Sequence, residues 1–242
     1  MWGDLVTFSH IKKIQNSEAW RLNALGLLHM FLRDKSNIEQ AEKYFLKSYD
    51  LGVNGAAYNL AELYFLKNDF LNSFFYVKLV GKFGYKFPSK EYIDWARLYG
   101  QLLYLHGKNL DDKIKAIELL ETIQNVDKSG ISFYIIGFHE VDNENIQVGM
   151  RKIEQAVELQ LLDAILFLGD MYMSGNKIDK NESKAKKYYL QAIKIGSGKA
   201  HYNLALIYKS EGDAKNMRKH LIMSAELGHL KAIEFWNRIT SK

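Results

Sequence analysis

One short pattern recurs along the chain at intervals close to 36 residues, and it constrains the fold more than any other feature. The segments that begin at Ala56, Ala164 and Ala200 read AAYNLAELY, AILFLGDMY and AHYNLALIY. In each segment, apolar or small residues occupy the first, fifth, sixth and ninth positions, which lie on one face of an α-helix. We therefore expect a buried helix in each segment, with its small residue at the point where a second helix approaches closely.

The small residue marks every copy of the pattern, including three weaker ones. In chain order these residues are Gly26, Ala61, Gly100, Gly137, Gly169 and Ala205. Their spacings of 35, 39, 37, 32 and 36 residues define one period. Periods of this length are typical of stacked helix-turn-helix repeats. We therefore predict an all-α fold, a right-handed α/α solenoid of about six helix-turn-helix repeats, which forms a single helical-repeat domain over residues 1–242.

Capping helices are predicted at both ends of the array, because the outer faces of terminal repeats must be covered. Residues 1–18 are the predicted N-terminal cap, and its apolar positions are Leu5, Phe8, Ile11 and Ile14. Residues 19–232 hold the repeats. The predicted C-terminal cap is 233–242, and its apolar residues are Ile233, Phe235, Trp236 and Ile239.

Start and stop signals flank the second helix of the repeats. Ser36 with Glu39 fits a capping box. The other predicted N-caps are Asp69, Asp111, Asn145, Asn181 and Asp213. Glycine can adopt the left-handed conformation that ends a helix. Four second helices are followed by such a glycine, namely Gly52, Gly84, Gly196 and Gly228.

Three runs of the sequence resemble a known repeat. GAAYNLAELY, the run from Gly175 to Tyr208 and KHLIMSAELGHLKA are similar to the Sel-one-like repeat (SLR), a relative of the tetratricopeptide repeat (TPR). The resemblance spans roughly residues 19–236; it is strongest in the units that begin at Ala56, Ala164 and Ala200, and weakest over 87–160. It implies a scaffold that binds proteins and carries no catalytic motif.

Composition and motif spacing exclude several kinds of site. The chain has no cysteine, which excludes disulfides, thiolate metal sites and a cysteine nucleophile. The seven histidines lack metal-binding spacing, so we predict no catalytic residue, no cofactor and no metal ion. No apolar run is long enough for a membrane helix, and the N-terminus resembles no signal peptide. We therefore expect a cytoplasmic protein without membrane insertion.

The first helices of such repeats line a concave groove, into which the residues beside the buried stripe face. Aromatic side chains there suit protein recognition, because they provide a large contact area at little cost in entropy. The predicted partner-binding residues of this concave face are Asn23, Tyr58, Glu62, Phe65, Arg97, Gln101, Tyr104, Tyr134, Asp170, Tyr202 and Lys209.

From these features we predict a non-enzymatic protein–protein interaction module, a bacterial adaptor, regulator or immunity-type inhibitor that is itself a monomer. Its expected partner is a folded protein or an extended peptide. One alternative is an enzyme whose site is assembled across repeats. The other is an RNA-binding repeat protein, because residues 151–242 carry sixteen basic and ten acidic side chains. The groove positions are too apolar and varied for base reading, so we expect no specific nucleic-acid binding.

Overall fold

All regular structure in the described part of the chain is helical. The computed structural model describes the backbone of residues 3–32, 34–84 and 89–240, and the side chains of 17–32, 34, 36–84 and 89–240. The helices within these ranges are α1 (Gly3–Leu32), α2 (Lys35–Asp50), α3 (Asn54–Leu66), α4 (Phe70–Gly81), α5 (Lys90–His106), α6 (Leu110–Ile123), α7 (Ile131–Asp142), α8 (Ile146–Glu158), α9 (Leu162–Ser174), α10 (Glu182–Lys194), α11 (Gly198–Ser210), α12 (Ala214–Glu226) and α13 (Leu230–Thr240). The predicted all-α fold is confirmed.

The helices pack in consecutive pairs, α1 with α2 through to α11 with α12. These six pairs correspond to the predicted helix-turn-helix repeats, and α13 follows the last pair. None of the described helices is both long enough and apolar enough to cross a membrane.

The chain divides into two compact units. The N-terminal unit, Met1–Val126, contains α1 to α6, and the C-terminal unit, Asp127–Lys242, contains α7 to α13. The division falls between α6 and α7, within the stretch where the repeat pattern is weakest in the sequence. The predicted single domain over residues 1–242 stays a prediction.

The two ends of the chain differ from the predicted caps. The predicted boundary at residue 18 falls inside α1, which runs without a break from Gly3 to Leu32. The side chains of the predicted N-terminal cap residues, Leu5, Phe8, Ile11 and Ile14, lie outside the described residues. At the other end, α13 begins at Leu230, and Phe235 is buried in one cluster with Ala205 and Leu221. α13 therefore packs on the last helix pair.

In four of the helix pairs, the predicted small residue is a glycine in close contact with a side chain of the second helix. In the N-terminal unit, Gly100 faces Leu120, and a Cβ atom added to this glycine would lie 2.7 Å from Leu120 Cγ. In the C-terminal unit, a Cβ on Gly169 would lie 2.6 Å from Tyr189 Cε1. Real Cβ atoms essentially never show such distances, so a larger residue at either position would force the facing side chain to move.

Three serines connect helices through the main chain. The Ser48 hydroxyl donates to the carbonyl oxygen of Ala19, that of Ser73 to Ala61, and that of Ser224 to Gly198, each at 2.7 Å. All three serines are fully buried. A buried hydroxyl without a partner would destabilise the fold, so these bonds fix where each second helix meets a first helix.

Three predicted N-caps are confirmed. Their side chains accept a hydrogen bond from the backbone N–H three residues later: Asp69 from Asn72, Asn181 from Lys184 and Asp213 from Asn216.

The other three predicted N-caps need correction. Asp34, not Ser36, caps α2 and accepts from the Asn37 N–H at 2.9 Å. Asn109, not Asp111, caps α6. Asn145 precedes α8 as predicted, but its side chain makes no cap hydrogen bond and donates instead to a carboxylate oxygen of Glu140.

The predicted turns after the second helices are confirmed. Gly52, Gly84, Gly196 and Gly228 all have left-handed backbone conformations, with φ between 72° and 92°. The fourth repeat has no glycine here, and Gln160 adopts the same conformation with φ 59°. The fourth repeat therefore forms the same turn without a glycine.

Two histidines share a hydrogen bond inside the last pair of helices. His201 Nδ1 on α11 lies 2.8 Å from His220 Nδ1 on α12, and His201 is only 4% exposed. Tyr208 stacks on His220, and the Lys186 ammonium group lies over the Tyr208 ring. Burial lowers the pKa of both imidazoles, and the positive charge of Lys219 lowers it further. Two Nδ1 atoms this close share one proton, so the pair cannot hold its bond with both rings charged.

The Gly169–Tyr189 contact predicts that Gly169→Ala lowers the free energy of unfolding by about 1 to 3 kcal/mol, because the added methyl group overpacks the α9–α10 contact. Gly55→Ala is the matched control: Gly55 is also helical, and its added Cβ would meet nothing within 4 Å. Urea unfolding followed by circular dichroism measures both changes. An equal effect of the two substitutions would contradict the close-contact role of Gly169.

The histidine pair predicts that stability falls as the pH drops below about 6.5, the ordinary pKa of histidine. Both folded-state pKa values are lowered, so the unfolded chain binds more protons in this range and acid favours unfolding. His220→Gln should flatten the dependence of the unfolding free energy on pH between about 5 and 7. Urea titrations at several pH values test this, and parallel profiles for the two proteins would refute it.

Candidate interaction surface

Helices α1, α3 and α5 contribute to a cavity of about 410 Å³ in the N-terminal unit. Four predicted partner-binding residues line it, namely Asn23, Tyr58, Glu62 and Arg97. The same position on three successive first helices thus forms one continuous wall.

A polar network connects α3 to α5 in this wall. The Tyr58 hydroxyl donates to Glu62 Oε1 at 2.7 Å, and Arg97 Nη2 donates to the Tyr58 oxygen at 3.4 Å. Arg97 also forms an ion pair with Asp94 at 3.1 Å, and Lys90 pairs with the other oxygen of this carboxylate. Burial and the adjacent Glu62 carboxylate raise the pKa of Tyr58, so its hydroxyl stays protonated and remains a donor.

Asparagines link neighbouring first helices in both units. Asn59 Nδ2 donates to Asn23 Oδ1 at 2.8 Å, between α3 and α1. In the C-terminal unit, Asn203 Nδ2 donates to Asp170 Oδ1 at 2.9 Å, between α11 and α9. Neither donor was predicted from the sequence. Each stands fourth in its copy of the pattern, AAYNLAELY or AHYNLALIY, and this repetition was the available signal.

An aromatic cluster on α7 and α9 marks the C-terminal unit. The ring centroids of Tyr134, Phe138 and Phe167 lie 5.5 to 6.5 Å apart, and all three side chains are half-buried. Phe138 and Phe167 also line a cavity of about 380 Å³ together with Met171. Tyr134 was predicted for the groove, whereas Phe167 and Met171 were not. The rings hold one another in place, so the cavity has a firm apolar floor.

Asp170 lies at the rim of this cavity and is held by three donors. Tyr189 donates its hydroxyl to Oδ1 at 2.8 Å, Asn203 donates to the same oxygen, and Lys199 Nζ donates to Oδ2 at 2.9 Å. Burial and the hydrogen bond to this carboxylate raise the pKa of Tyr189, which therefore stays a donor. The Asp170 side chain is still 41% exposed. Its carboxylate is thus fixed in direction and open to further donors.

Lys177 lies at another part of the same rim. Its ammonium group donates to the carbonyl oxygens of Val141 and Asp142 at 2.9 and 3.3 Å, and it pairs with Glu144 at 3.0 Å. The first two contacts satisfy carbonyls at the C-terminal end of α7, where a positive charge is favourable. Lys177 was not predicted as a site residue, because its position on a loop gives no repeat signal.

The remaining predicted site residues lie outside these two cavities. Phe65 packs edge-on against Phe70, and Gln101 is half-buried on α5. Tyr104 is only 6% exposed and belongs to the core. Two others lie on α11, Tyr202 against the His229 ring and Lys209 over the Phe235 ring.

Among the residues that the structure describes, no group of three His, Cys, Asp or Glu side chains is arranged to hold a metal ion.

The sequence profile of the Sel1 repeat matches residues 22–53, 96–122 and 162–197. The matched segments overlap the pairs α1–α2, α5–α6 and α9–α10. They do not include the units that begin at Ala56 and Ala200, where the resemblance in the sequence is strong, whereas 96–122 lies where it is weak. No curated protein sequence matches the chain significantly.

Solved structures with similar folds are helical-repeat proteins. A Sel1 repeat protein from Oxalobacter formigenes is 18% identical, with a TM-score of 0.61, and the alignment covers 86% of this chain and 87% of that one. The protective antigen c5321 of uropathogenic Escherichia coli, which displays an SLR fold, is 16% identical, with a TM-score of 0.55 and coverage of 87% and 46%. The structure of the APC/C hetero-tetramer Cut9-Hcn1 is 15% identical, with a TM-score of 0.64, and the alignment covers 87% of this chain and 40% of that one.

The chain spans less than half the length of the last two structures, and at these identities the likeness establishes the fold alone. Together with the three profile matches, it confirms the repeat type that the sequence predicts. Three segments of the chain therefore match the Sel1 repeat, within an all-α, TPR-like repeat fold.

Proposed function

We propose that this chain is a non-enzymatic module that binds a folded protein or an extended peptide through the face formed by its first helices. Sel1 and TPR-like repeats generally serve as scaffolds for protein interactions. One similar structure, Cut9-Hcn1, is itself a complex of two different proteins. The similarity to these proteins supports a binding role. The side chains that line the two cavities support the proposal that binding uses the face of the first helices.

The observation that carries the proposal is the firm apolar floor beside a fixed carboxylate in the C-terminal unit. An apolar side chain of the partner would pack against Phe138, Phe167 and Met171 in the cavity of about 380 Å³. A backbone N–H or a basic side chain of the partner would donate to Asp170. Because Tyr189 and Asn203 already hold this carboxylate, binding orders few groups and loses little entropy.

The cavity of the N-terminal unit offers a second contact of more polar character. Its wall contains carboxylates, an arginine and two asparagines, so it suits the main chain and polar side chains of a peptide. Arg97 pairs with Asp94, and Glu62 is bonded to Tyr58. Groups already paired in this way favour recognition over acid–base catalysis, which supports the non-enzymatic part of the proposal.

The roles that we propose for such a module are those of an adaptor, a regulator or an immunity-type inhibitor in the bacterial cytoplasm. Two of the similar structures come from bacteria, which supports a bacterial source for this chain. The partner would then be another protein of the same cell.

Truncation of the cavity floor should weaken the binding of the partner. Phe167→Ala removes an aromatic anchor, and losses at such anchors of about 2 kcal/mol or more correspond to a roughly 30-fold higher Kd. The immobilised chain is used to capture proteins from the cells that produce it. The captured protein is then purified, and its Kd is measured by titration calorimetry with the wild type and the variant.

Phe75→Ala is the matched control, because Phe75 is a 60% exposed phenylalanine on α4, away from the first helices. It should leave the Kd unchanged, and thermal unfolding should show that both variants fold. Equal weakening by the two substitutions, or none by Phe167→Ala, would refute the proposed face. If the captured molecule is RNA, bound with high affinity at physiological salt, the proposal of a protein partner is wrong.

A further inference from the structure

An exposed apolar stripe runs along one side of α1. Trp20 is 62% exposed and Phe31 is 81% exposed, and Ala24 and Leu27 are exposed between them. Successive residues of a helix are rotated by about 100°, so these four side chains share one face. The residues of the same helix that are buried, such as Leu22, lie on a different face. The stripe is therefore additional to the packing of α1 on its own unit.

The spacing of the stripe is that of a helix–helix seam. Trp20, Ala24, Leu27 and Phe31 follow one another at intervals of four, three and four residues. Such intervals are those of the apolar positions that pack two helices along their length in a coiled coil. All four positions are uncharged, and Leu28 adds exposed apolar surface beside them. The stripe thus suits another helix with the same spacing.

We propose that the occupant is the α1 stripe of a second copy of this chain, so that two copies form a symmetric dimer. This replaces the monomer predicted from the sequence. Leu27 also lines the cavity of about 410 Å³, but dimerisation is measured as oligomeric state and not as partner binding, so the two proposals can fail separately. In a two-fold symmetric contact the same surface is used on both copies and must complement itself.

The stripe complements itself when the two helices run in opposite directions. Trp20 then lies opposite Phe31 of the second copy, and Ala24 lies opposite Leu27 of the second copy. Each large side chain at the centre meets a small one, which allows close packing. In a parallel arrangement Ala24 would face Ala24 of the second copy and leave a gap. The order of side-chain sizes therefore favours an antiparallel contact.

The exposed area is sufficient for a weak but specific dimer. A fully buried aromatic side chain removes roughly 200 Å² from solvent, so Trp20 and Phe31 alone present about 300 Å² on each chain. With Ala24, Leu27 and Leu28, the area buried on both chains reaches roughly 1,000 Å², close to the lower limit for specific interfaces. We therefore expect a dimer that dissociates in the micromolar range.

Sedimentation velocity of the full chain at about 1 to 100 µM should show a concentration-dependent change from monomer to dimer. Phe31→Glu should raise the dimer dissociation constant at least about 10-fold, because it places a charge in the apolar contact. The matched control is Leu71→Glu on α4, where Leu71 is 84% exposed. This control should dimerise like the wild type.

A wild-type chain that stays monomeric over the whole range would overturn the proposal. Equal weakening by Phe31→Glu and Leu71→Glu would also overturn it, because the association would then not involve the stripe. Circular dichroism melting tests whether the two variants still fold. Phe31 and Leu71 are both exposed, so the melting temperatures of both variants should match that of the wild type.

A second pair of variants tests the antiparallel geometry. Ala24→Leu places two large side chains opposite each other and should weaken the dimer. The double variant Ala24→Leu with Leu27→Ala exchanges the large and small positions and should restore the wild-type dissociation constant. Restoration is not expected from a parallel dimer or from a different partner surface, so failure of the double variant would refute this arrangement.

Discussion

The structure depends on the contact between a small residue of each first helix and a large side chain of the second helix. In the fifth pair, the Tyr189 ring lies against Gly169, and its hydroxyl also donates to Asp170, the next residue along α9. Phe45 takes the same place against Gly26 and has no hydroxyl. One side chain thus sets the separation of two helices and orients a carboxylate at the rim of the C-terminal cavity. A polar anchor of this kind requires tyrosine at the core position.

The repeats and their turns could be predicted because they depend on local chemistry. Gly196 follows the end of a helix and has a left-handed backbone conformation, which glycine adopts without strain. The local sequence is therefore enough to predict this turn. The N-caps were harder to predict. Asp34 precedes Ser36 and Asn109 precedes Asp111 by two residues, and all four side chains can accept a hydrogen bond from a helix N-terminus. Only the path of the chain selects between them.

The candidate site was harder to predict than the fold, because it depends on how each helix is rotated. Tyr58 lines a cavity while Tyr104 is buried, although both were assigned to the groove from their distance to a small residue. A shift of one residue turns a side chain by about 100°, which is enough to move it from a groove to a core. Phe167 was missed for the same reason. The hydrogen bond between Asn203 and Asp170 joins residues 33 positions apart, which no local pattern displays.

The pairing of consecutive helices has a consequence for how the chain folds during its synthesis. Within each unit, the helices of the described chain that contact most extensively are neighbours in sequence, as α3 with α4 and α11 with α12. Chains dominated by such short-range contacts fold quickly. A pair such as α1–α2 can close as soon as both helices have left the ribosome, before α13 exists. Within a unit, each later pair then adds to a surface that is already formed, which limits the time that apolar faces spend exposed to other nascent chains.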